Sequence, residues 1–325
     1  MKKVKIVGFG HYCPDNIIKN RDIGELVDTS DEWIIKRTGI KERRISDGEG
    51  TVDLACKAAL EALNNSNCNK EDIDLIVVAT TSPDKIMPST ACSIQGILGC
   101  KNAAAFDVSA ACSGFVYALI VASSLIRTTD KKRALVIGSE VLSRFVDWKD
   151  RSTCILFGDG AGAAIIEVTN EREGILSTCF LSDGEIGAEA LVAGELELNT
   201  PFTKESIEEK RYIKMNGGVV FKFAIDILPK VIKELLDKSN EDISNIKYIV
   251  PHQANLRIIE ESAKRLKIDK NKFYINLDKY GNTSAASIPI ALSELYEKGL
   301  VKKGDKIILA AFGGGLTWAG ALIEI

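Results

Sequence analysis

Three residues far apart in the chain have side chains suited to acyl transfer: Cys112, His252 and Asn282. Cys112 lies in residues 107–114 (DVSAACSG), where a strand-like run gives way to a long apolar helix. His252 lies in the run PHQAN, and Asn282 lies in the run YGNTSA. A thiol, an imidazole and an amide can together form, hold and attack a thioester if the fold brings them to one place.

The local setting of each residue supports a catalytic role to a different degree. Cys112 stands among small residues at a predicted helix start, and a helix N-terminus lowers the pKa of a thiol and makes it nucleophilic. The alternative is a buried small hydrophobe, which is what the other seven cysteines are expected to be. His252 follows a predicted buried strand and opens a helix, as catalytic histidines often do, whereas His11 in a Gly/Pro turn is interpreted as structural. Asn282 alone would be a turn former or a helix N-cap.

Composition excludes several classes of function. The chain has 325 residues, 46% of them hydrophobic and 27% charged, which indicates a globular protein with one large core or two fused cores. A net charge of −3 gives no reason to expect a nucleic-acid partner, so an acidic partner would need a local basic patch. Eight cysteines without a C-x-x-C pair, and only two histidines, predict no metal site.

The sequence also predicts a cytoplasmic location and no membrane partner. The N-terminal run MKKVKIVG leads directly into a strand and is too short and too charged for a signal peptide. We expect no apolar run to reach the length of a membrane span. The scattered cysteines fit a compartment in which thiols stay reduced.

Strand-like runs alternate with helical ones, which predicts an α/β fold. Predicted strands cover residues 4–9, 75–80, 104–108 and 134–138, and predicted helices cover 51–63, 112–127 and 221–235.

The second half of the chain repeats the first. The run EDIDLIVVAT at 71–80 has a counterpart in EDISNIKYIVPH at 241–252, and KKRALVIG at 131–138 has one in KKGDKIILA at 302–310. Each half then has a polar junction leading into a small-residue helix start. This pattern predicts an internal duplication, with chance similarity between two α/β halves as the alternative.

The duplication predicts where the three chemical residues meet. Cys112 and Asn282 are expected at matching strand-to-helix junctions, and His252 follows the strand that matches the one ending at Thr80. Sites in α/β sheets collect where strands end, so we expect the three residues to converge.

Two glycine-rich runs have different interpretations. Residues 313–318 (GGGLTW) follow the last buried strand and are suited to direct backbone N–H groups at an oxyanion, with a loose turn as the alternative. Residues 158–162 (GDGAG) lead into a strand rather than a helix, so no nucleotide site is predicted there.

Taken together, the motifs resemble the β-ketoacyl-acyl carrier protein synthase III family, the condensing enzymes that start bacterial fatty acid synthesis. The resemblance covers nearly the whole chain. The motifs in chain order are TSDEWIIKRTGI (29–40), DVSAACSG (107–114), GDGAGA (158–163), PHQANLRI (251–258), GNTSAAS (281–287) and GGGLTW (313–318).

The resemblance implies a thiolase-like α/β fold with two pseudo-symmetric halves, residues 1–170 and 171–325. Each half would contain a mixed five-stranded sheet, in an α-β-α-β-α layering. The family also implies a homodimer.

For activity, the resemblance implies decarboxylative condensation of an acyl-CoA primer with malonyl-acyl carrier protein, initiating type II fatty acid synthesis. The products are 3-oxoacyl-acyl carrier protein, CoA and carbon dioxide. Cys112 would carry the acyl group, while His252 and Asn282 would hydrogen-bond the malonyl thioester oxygen. The N–H groups of Cys112 and Gly314 would form the oxyanion hole. No cofactor is implied.

Three binding regions follow from the same resemblance. The residues implied for CoA are Thr29, Trp33, Arg37, Arg151, Gly217 and Asn255. Those implied for the acyl pocket are Met87, Phe157 and Leu191, and those for the acidic carrier protein are Lys222, Gln253, Arg257, Lys264 and Arg265. Without the resemblance, Trp33 would be interpreted as core and Arg151 as a solvated surface charge. For Lys264 and Arg265, ordinary solvated helix charges are the alternative.

The chain departs from the family pattern in ways that leave the primer unpredicted. Met87 stands where many members have an aromatic residue at the partner's acyl pocket, and Gly218 stands where many have an asparagine. Competing hypotheses are a related enzyme of a specialised acyl or polyketide pathway, a papain-like cysteine hydrolase and a non-catalytic binding protein. The duplication disfavours the hydrolase, and the three intact chemical residues disfavour the binding protein.

Overall fold

The computed structural model describes residues 2–171, 174–203 and 210–325. The strands are β1 (Lys3–Tyr12), β2 (Ile17–Lys19), β3 (Glu42–Arg44), β4 (Leu75–Ala79), β5 (Ala104–Val108), β6 (Arg133–Glu140), β7 (Gly160–Thr169), β8 (Gly174–Ser182), β9 (Leu191–Val192), β10 (Lys214–Met215), β11 (Ile246–Pro251), β12 (Lys306–Gly313) and β13 (Thr317–Glu324). The α-helices are α1 (Asn20–Gly24), α2 (Asp31–Thr38), α3 (Thr51–Ser66), α4 (Thr90–Leu98), α5 (Gly114–Thr128), α6 (Arg151–Cys154), α7 (Gly184–Ala190), α8 (Gly217–Ser239), α9 (Leu256–Leu266), α10 (Leu277–Tyr280) and α11 (Ser287–Glu297).

The two main sheets have the same topology, which confirms two related α/β halves. The first has the order β1-β7-β6-β4-β5 and the second the order β8-β13-β12-β11. In both, the first two pairings are antiparallel and the next is parallel. The first sheet takes its strands from residues 3–169 and the second from 174–324. The boundary at residue 170 stays a prediction that these ranges support.

The number of strands predicted for the second sheet is wrong. Within the described residues it has four strands, and the fifth position is reduced to a single parallel bridge between Ile249 and Phe273. The side chain of Gln253 occupies the hydrogen-bonding groups that would extend this pairing. Its Nε2 donates to the Tyr274 carbonyl at 3.1 Å, and its Oε1 accepts from the Asn276 N–H at 3.1 Å.

The structure has the predicted α-β-α-β-α layering, and strands that are apolar on both faces explain it. All five residues of β4 (LIVVA) are buried, as expected for a strand covered on both sides. Helices α5 and α11 pack between the two sheets in one shared core. Helices α3 and α4 cover the outer face of the first sheet, and α8 and α9 cover that of the second.

One described helical segment, Ala111–Thr128, is long and apolar enough to cross a membrane by length and composition, so the expectation that no apolar run reaches that length is wrong. Its most apolar window is 61% buried inside the protein. That burial explains the apolar composition, because a helix packed between two sheets is apolar on nearly all sides.

A segment of the first half crosses over to the second half and frames the site. Ile23, Ile34 and Ile40, from α1, α2 and the residues after it, share a core with Ile258 of α9 and Leu277 of α10. As a result, α2 lies beside α9, and together they form one wall of the cleft described next.

Candidate active site

Cys112 lies in a tight turn directly before α5. Residues Ala111–Ser113 form a single 3-10 turn, and Ala111 has a positive φ of 47°. The backbone of Gly313 approaches from the end of β12, and a Cβ on this glycine would lie 2.6 Å from the Cys112 nitrogen. Only glycine fits at this contact, which holds the glycine-rich run against the thiol-bearing turn.

Asn282 is held by hydrogen bonds between the two halves. Its N–H donates to the Leu156 carbonyl at 2.9 Å, and its carbonyl accepts from the Gly158 N–H at 3.0 Å. Its side-chain Oδ1 accepts from the Ser284 N–H at 2.9 Å. Since Oδ1 is engaged, the side chain presents its amide Nδ2 as a hydrogen-bond donor.

His252 is buried and held as a neutral imidazole. Its Nδ1 lies 2.8 Å from the Ser287 hydroxyl, which also accepts the Gln253 N–H at 3.5 Å. That hydroxyl can donate its hydrogen to Nδ1, and in this arrangement the proton of the neutral ring lies on Nε2. Burial lowers the pKa of His252 to about 3, and the edge of Phe312 packs against the ring at 5.3 Å. The side chain is therefore suited to donate a hydrogen bond rather than to take up a proton.

The three residues line one cavity of about 570 Å³. Cys112 comes from the end of the first sheet, while His252 and Asn282 come from the second half. The fold thus brings together a thiol and two hydrogen-bond donors that are up to 170 positions apart (282 − 112). Such a site is suited to form a covalent acyl intermediate and to stabilise negative charge on a substrate oxygen.

The mouth of this cavity contains most of the residues predicted for CoA. The Arg151 guanidinium lies over the Trp33 ring at 5.0 Å, a cation–π pair, and also donates to the Asp28 carbonyl at 2.9 Å. Arg37, Gly217 and Asn255 line the same cavity, as does Gly218. Thr29 lies on the loop before α2 and does not line it.

A second cavity of about 390 Å³ lies on the other side of Cys112. Cys112, Phe157 and Leu191 line both cavities, and Gly314 lines the second. The remaining walls are largely apolar side chains: Leu142, Phe145, Val192, Ala193 and Ile213. Met87 lines neither cavity of its own chain, and 82% of its surface is exposed.

The predicted lowering of the Cys112 pKa is wrong for this state of the protein. The pKa of Cys112 is raised to about 12, mainly by burial; the Ser284 hydroxyl opposes this rise and the nearby Glu140 carboxylate adds to it. Burial outweighs the helix N-terminus because removing a thiolate from water costs more than the end of one helix returns. Contact with a thioester substrate must therefore accompany loss of the thiol proton.

Glu140 forms a closed polar network behind Cys112 that sequence reasoning missed. It is fully buried and accepts from the hydroxyls of Thr80 at 3.2 Å and Ser82 at 2.5 Å, and from the N–H of Thr81 at 3.1 Å. Burial raises the pKa of Glu140. The only signal in the sequence is a single glutamate at the end of an apolar strand, and its role becomes visible only with its partners Thr80, Thr81 and Ser82, which follow β4.

The residues predicted to bind the carrier protein divide into three groups. Gln253 is buried and is bonded to the Pro251 and Tyr274 carbonyls, so its predicted role at a docking surface is wrong. Lys222, Arg257 and Lys264 are exposed, and Arg257 lines the cavity mouth above the Phe221 ring at 5.2 Å. Arg265 is exposed but paired with Asp226 and Glu261.

The fold and the comparisons define a class: a thiolase-like acyltransferase, here with a cysteine, a histidine and an asparagine lining one cavity. Family models described as 3-oxoacyl-[acyl-carrier-protein] synthase III match residues 106–184, and the C-terminal model of that enzyme matches residues 236–325. The β-ketoacyl-[acyl-carrier-protein] synthase III of Clostridium beijerinckii is 52% identical over 324 residues and covers 100% of both chains. The chain belongs to the β-ketoacyl-acyl carrier protein synthase III family, and it is a condensing enzyme of the acyltransferase class.

Solved structures agree with this assignment. The 3-oxoacyl-[acyl-carrier-protein] synthase III of Aquifex aeolicus superposes with a TM-score of 0.92 at 47% identity, covering 99% of this chain and 100% of that one. A priming β-ketosynthase from a polyketide biosynthetic pathway superposes with a TM-score of 0.90 at 30% identity, covering 100% and 96%. The fold is therefore shared by a 3-oxoacyl-[acyl-carrier-protein] synthase III and by a priming β-ketosynthase of a polyketide pathway.

Proposed function

We propose that this protein condenses an acyl-CoA primer with malonyl-acyl carrier protein, the step that initiates type II fatty acid synthesis. The observation that carries the proposal is that Cys112, His252 and Asn282 line one cavity. Two neutral donors facing one thiol are suited to stabilise an enolate formed beside an acyl-cysteine. The names of the relatives, at 52% identity over the full length, support the same reaction.

In the first step, the Cys112 sulfur attacks the thioester carbonyl of the primer. The C–S bond to CoA breaks, and CoA leaves as a thiol with the proton from Cys112. The backbone N–H groups of Cys112 and Gly314 are proposed to hold the transient oxyanion, a role that the close packing of Gly313 on the Cys112 backbone supports. The acyl chain then occupies the second cavity, beside Phe157 and Leu191.

In the second step, the malonyl group loses carbon dioxide. The bond between its α-carbon and the carboxylate breaks, and the electron pair becomes an enolate whose oxygen accepts hydrogen bonds from His252 Nε2 and Asn282 Nδ2. The α-carbon attacks the acyl carbonyl and a carbon–carbon bond forms. The C–S bond to Cys112 then breaks, and the released thiolate takes a proton from solvent to restore the thiol. The buried neutral imidazole suits this role because it donates a hydrogen bond without first having to lose a proton.

CoA and the carrier protein are proposed to enter by the same mouth. The Trp33–Arg151 pair, with Arg37, Gly217 and Asn255, is suited to hold the adenine and phosphates of CoA. The exposed charges of Lys222, Arg257 and Lys264 beside that mouth are suited to an acidic carrier protein. Arg265 contributes less to this surface because its charge is already paired. Thr29 stays a proposed member of the entrance without a contact that supports it.

Three further features belong to the proposal. The protein works as a homodimer, in which the exposed Met87 reaches the acyl pocket of the partner subunit. It works in the cytoplasm. It uses no cofactor, because each step above needs only a thiol, backbone and side-chain donors, and the two substrates.

The test is to measure carbon dioxide release and ketoacyl product from acyl-CoA and malonyl-acyl carrier protein. Cys112→Ser is expected to lower condensation by at least about 10³-fold, because the acyl-carrying group is lost. Cys100→Ser, a buried cysteine outside both cavities, is the control and is expected to keep activity. Wild-type condensation by the Cys112 variant would refute the proposal, and net hydrolysis of acyl-CoA without condensation would favour the hydrolase. Failure with acetyl and short branched primers would favour a specialised enzyme.

A further inference from the structure

A histidine and two glutamates meet on the surface away from both cavities. His11 Nδ1 lies 3.1 Å from Glu297 Oε1 and 3.9 Å from Glu61 Oε2. The three ligand atoms all lie within 4.8 Å of one another. The side chain of His11 is 17% exposed, and those of Glu61 and Glu297 are 38% and 39% exposed, so the cluster is half-buried and open to solvent on one side.

Packing of the main chain brings these residues together. A Cβ on Gly10 would lie 2.3 Å from the Ala62 nitrogen, so β1 lies directly on α3 at this point. This approach places the His11 N–H against the Glu61 carboxylate, with which it forms a hydrogen bond. From the other side, the buried Ser293 hydroxyl of α11 lies 2.9 Å from His11 Nδ1 and donates to Glu297 Oε1 at 3.0 Å.

The cluster has an excess of negative charge. Among the described residues, neither Glu61 nor Glu297 has a lysine or arginine within 4 Å. The lysines nearest to them in sequence are engaged elsewhere: Lys57 pairs with Glu49, and Lys298 pairs with Glu294. Two carboxylates around one imidazole therefore leave a net charge that a bound cation would neutralise.

We propose that His11, Glu61 and Glu297 form a binding site for one divalent transition-metal cation, for which Zn²⁺ is the best match. Metal–nitrogen and metal–oxygen bonds of about 2.1 Å at tetrahedral angles place the ligand atoms about 3.4 Å apart. His11 Nδ1 and Glu297 Oε1, 3.1 Å apart, are within about 0.3 Å of this spacing, and Glu61 Oε2, 3.9 Å from Nδ1, must move about 0.5 Å closer to it. Water from the open side supplies the fourth ligand.

The surrounding hydrogen bonds fit metal binding. The cation replaces the proton on His11 Nδ1, and the proton is released to solvent. The Ser293 hydroxyl then keeps its bond to Glu297, which orients that ligand. The sequence predicts no metal site, because it has only two histidines. The three ligands proposed here come from distant segments, so no metal-binding spacing along the chain marks them.

The site has a structural role in this proposal. It joins β1 and α3 of the first half to α11 of the second, and none of its three residues lines either cavity. A cation that binds the folded state and not the unfolded one raises the melting temperature by mass action.

The test is to titrate the metal-free full-length protein with Zn²⁺, measuring binding by equilibrium dialysis and the melting temperature in parallel. We expect one equivalent of Zn²⁺ to bind with a rise of a few degrees in Tm. His11→Gln, whose amide can still bond to Ser293, and Glu297→Gln should each weaken binding by at least about tenfold. Glu25→Gln, which removes an exposed carboxylate outside the cluster, should bind like the wild type.

Cobalt distinguishes this site from the eight cysteines of the chain. Co²⁺ bound at the cluster is expected to show visible d–d bands without the strong near-ultraviolet band of a thiolate ligand. A thiolate spectrum, or binding unchanged in the His11→Gln protein, would overturn the proposal. Absence of Zn²⁺ binding in the wild type would also overturn the proposal. The cluster would then be only a contact between His11 and the two glutamates.

Discussion

The two strand-to-helix junctions of the molecule have the same backbone and different chemistry. In the first, Ala111 has a φ of 47° and a 3-10 turn leads into α5; in the second, Ser284 has a φ of 48° and a 3-10 turn leads into α11. Aligned on these turns, Cys112 matches Ala285 and the first residue of α5 matches Ser287. The first junction therefore supplies the thiol of Cys112, the proposed nucleophile, and the second supplies the Ser287 hydroxyl that contacts His252.

This alignment sharpens the relation between Cys112 and Asn282. Both belong to the matching junctions, as the repeat predicts, but Asn282 precedes its turn and matches Ser109 rather than Cys112. A positive φ at a non-glycine residue costs about 1–2 kcal/mol, and both halves keep it. Both junctions thus share the same strained turn. They differ in the side chains around it: the first has the proposed nucleophile, and the second has the proposed hydrogen-bond donor Asn282.

The largest test of this division separates the two half-reactions. His252→Ala and Asn282→Ala should each lower malonyl decarboxylation and condensation by about 10²–10³-fold, because each removes one donor to the enolate. Both variants should still be acylated on Cys112 by acyl-CoA. Mass spectrometry of the intact protein measures this acylation. Equal loss of both half-reactions would mean that the second junction also activates the thiol.

Gly313→Ala tests the contact between the junctions. The added methyl group would lie 2.6 Å from the Cys112 nitrogen, so the turn must shift. We expect acylation to fall about tenfold or more, and the free energy of unfolding to fall by about 1–3 kcal/mol, measured by stopped-flow acylation and by denaturant melts. Gly184→Ala, where nothing lies within 4 Å of the new Cβ, is the matched control. Wild-type acylation in the Gly313 variant would contradict the role of this contact.

Ser287→Ala tests the hydroxyl that distinguishes the second junction. Without it, His252 Nδ1 loses its partner, and the proton is no longer held on Nε2. We expect kcat for decarboxylation to fall about tenfold with KM for acyl-CoA unchanged. Ser262→Ala, which removes a buried helical hydroxyl of α9, should keep activity. A change confined to KM would assign Ser287 to substrate binding instead.

The smallest expected effect is on stability at acid pH. The pKa of His252 is about 3 in the folded protein and 6.5 as its ordinary value. Between these values the unfolded chain binds more protons, so His252 makes the protein less stable as the pH falls below about 6.5. At pH ~5 the loss from this group is about 2 kcal/mol. His252→Gln should show a correspondingly shallower fall in the free energy of unfolding between pH ~7 and ~5. An identical pH dependence in both proteins would mean that the imidazole is charged in the folded state.

Much of the fold could be predicted because its signals are local or repeated. Continuous apolar runs predicted β1, β4, β5 and β6 to within a few residues, and the repeat predicted matching halves. The fifth strand predicted for the second sheet does not form, because the side chain of Gln253 takes up the hydrogen-bonding groups that would extend it. A polar residue after a histidine gives no sign in the sequence of whether it faces solvent or the edge of a sheet.

The sequence by itself determined the parts of the site: a thiol at a junction, a histidine after a strand, an amide in a turn and a glycine run after the last strand. Side-chain type and position along an element are local properties, so they can be inferred without coordinates. Only the tertiary structure decided the protonation of these parts, because burial of Cys112 and His252 depends on residues from the other half. It alone also brought His11, Glu61 and Glu297 together, since contacts between distant segments follow from packing and not from spacing along the chain.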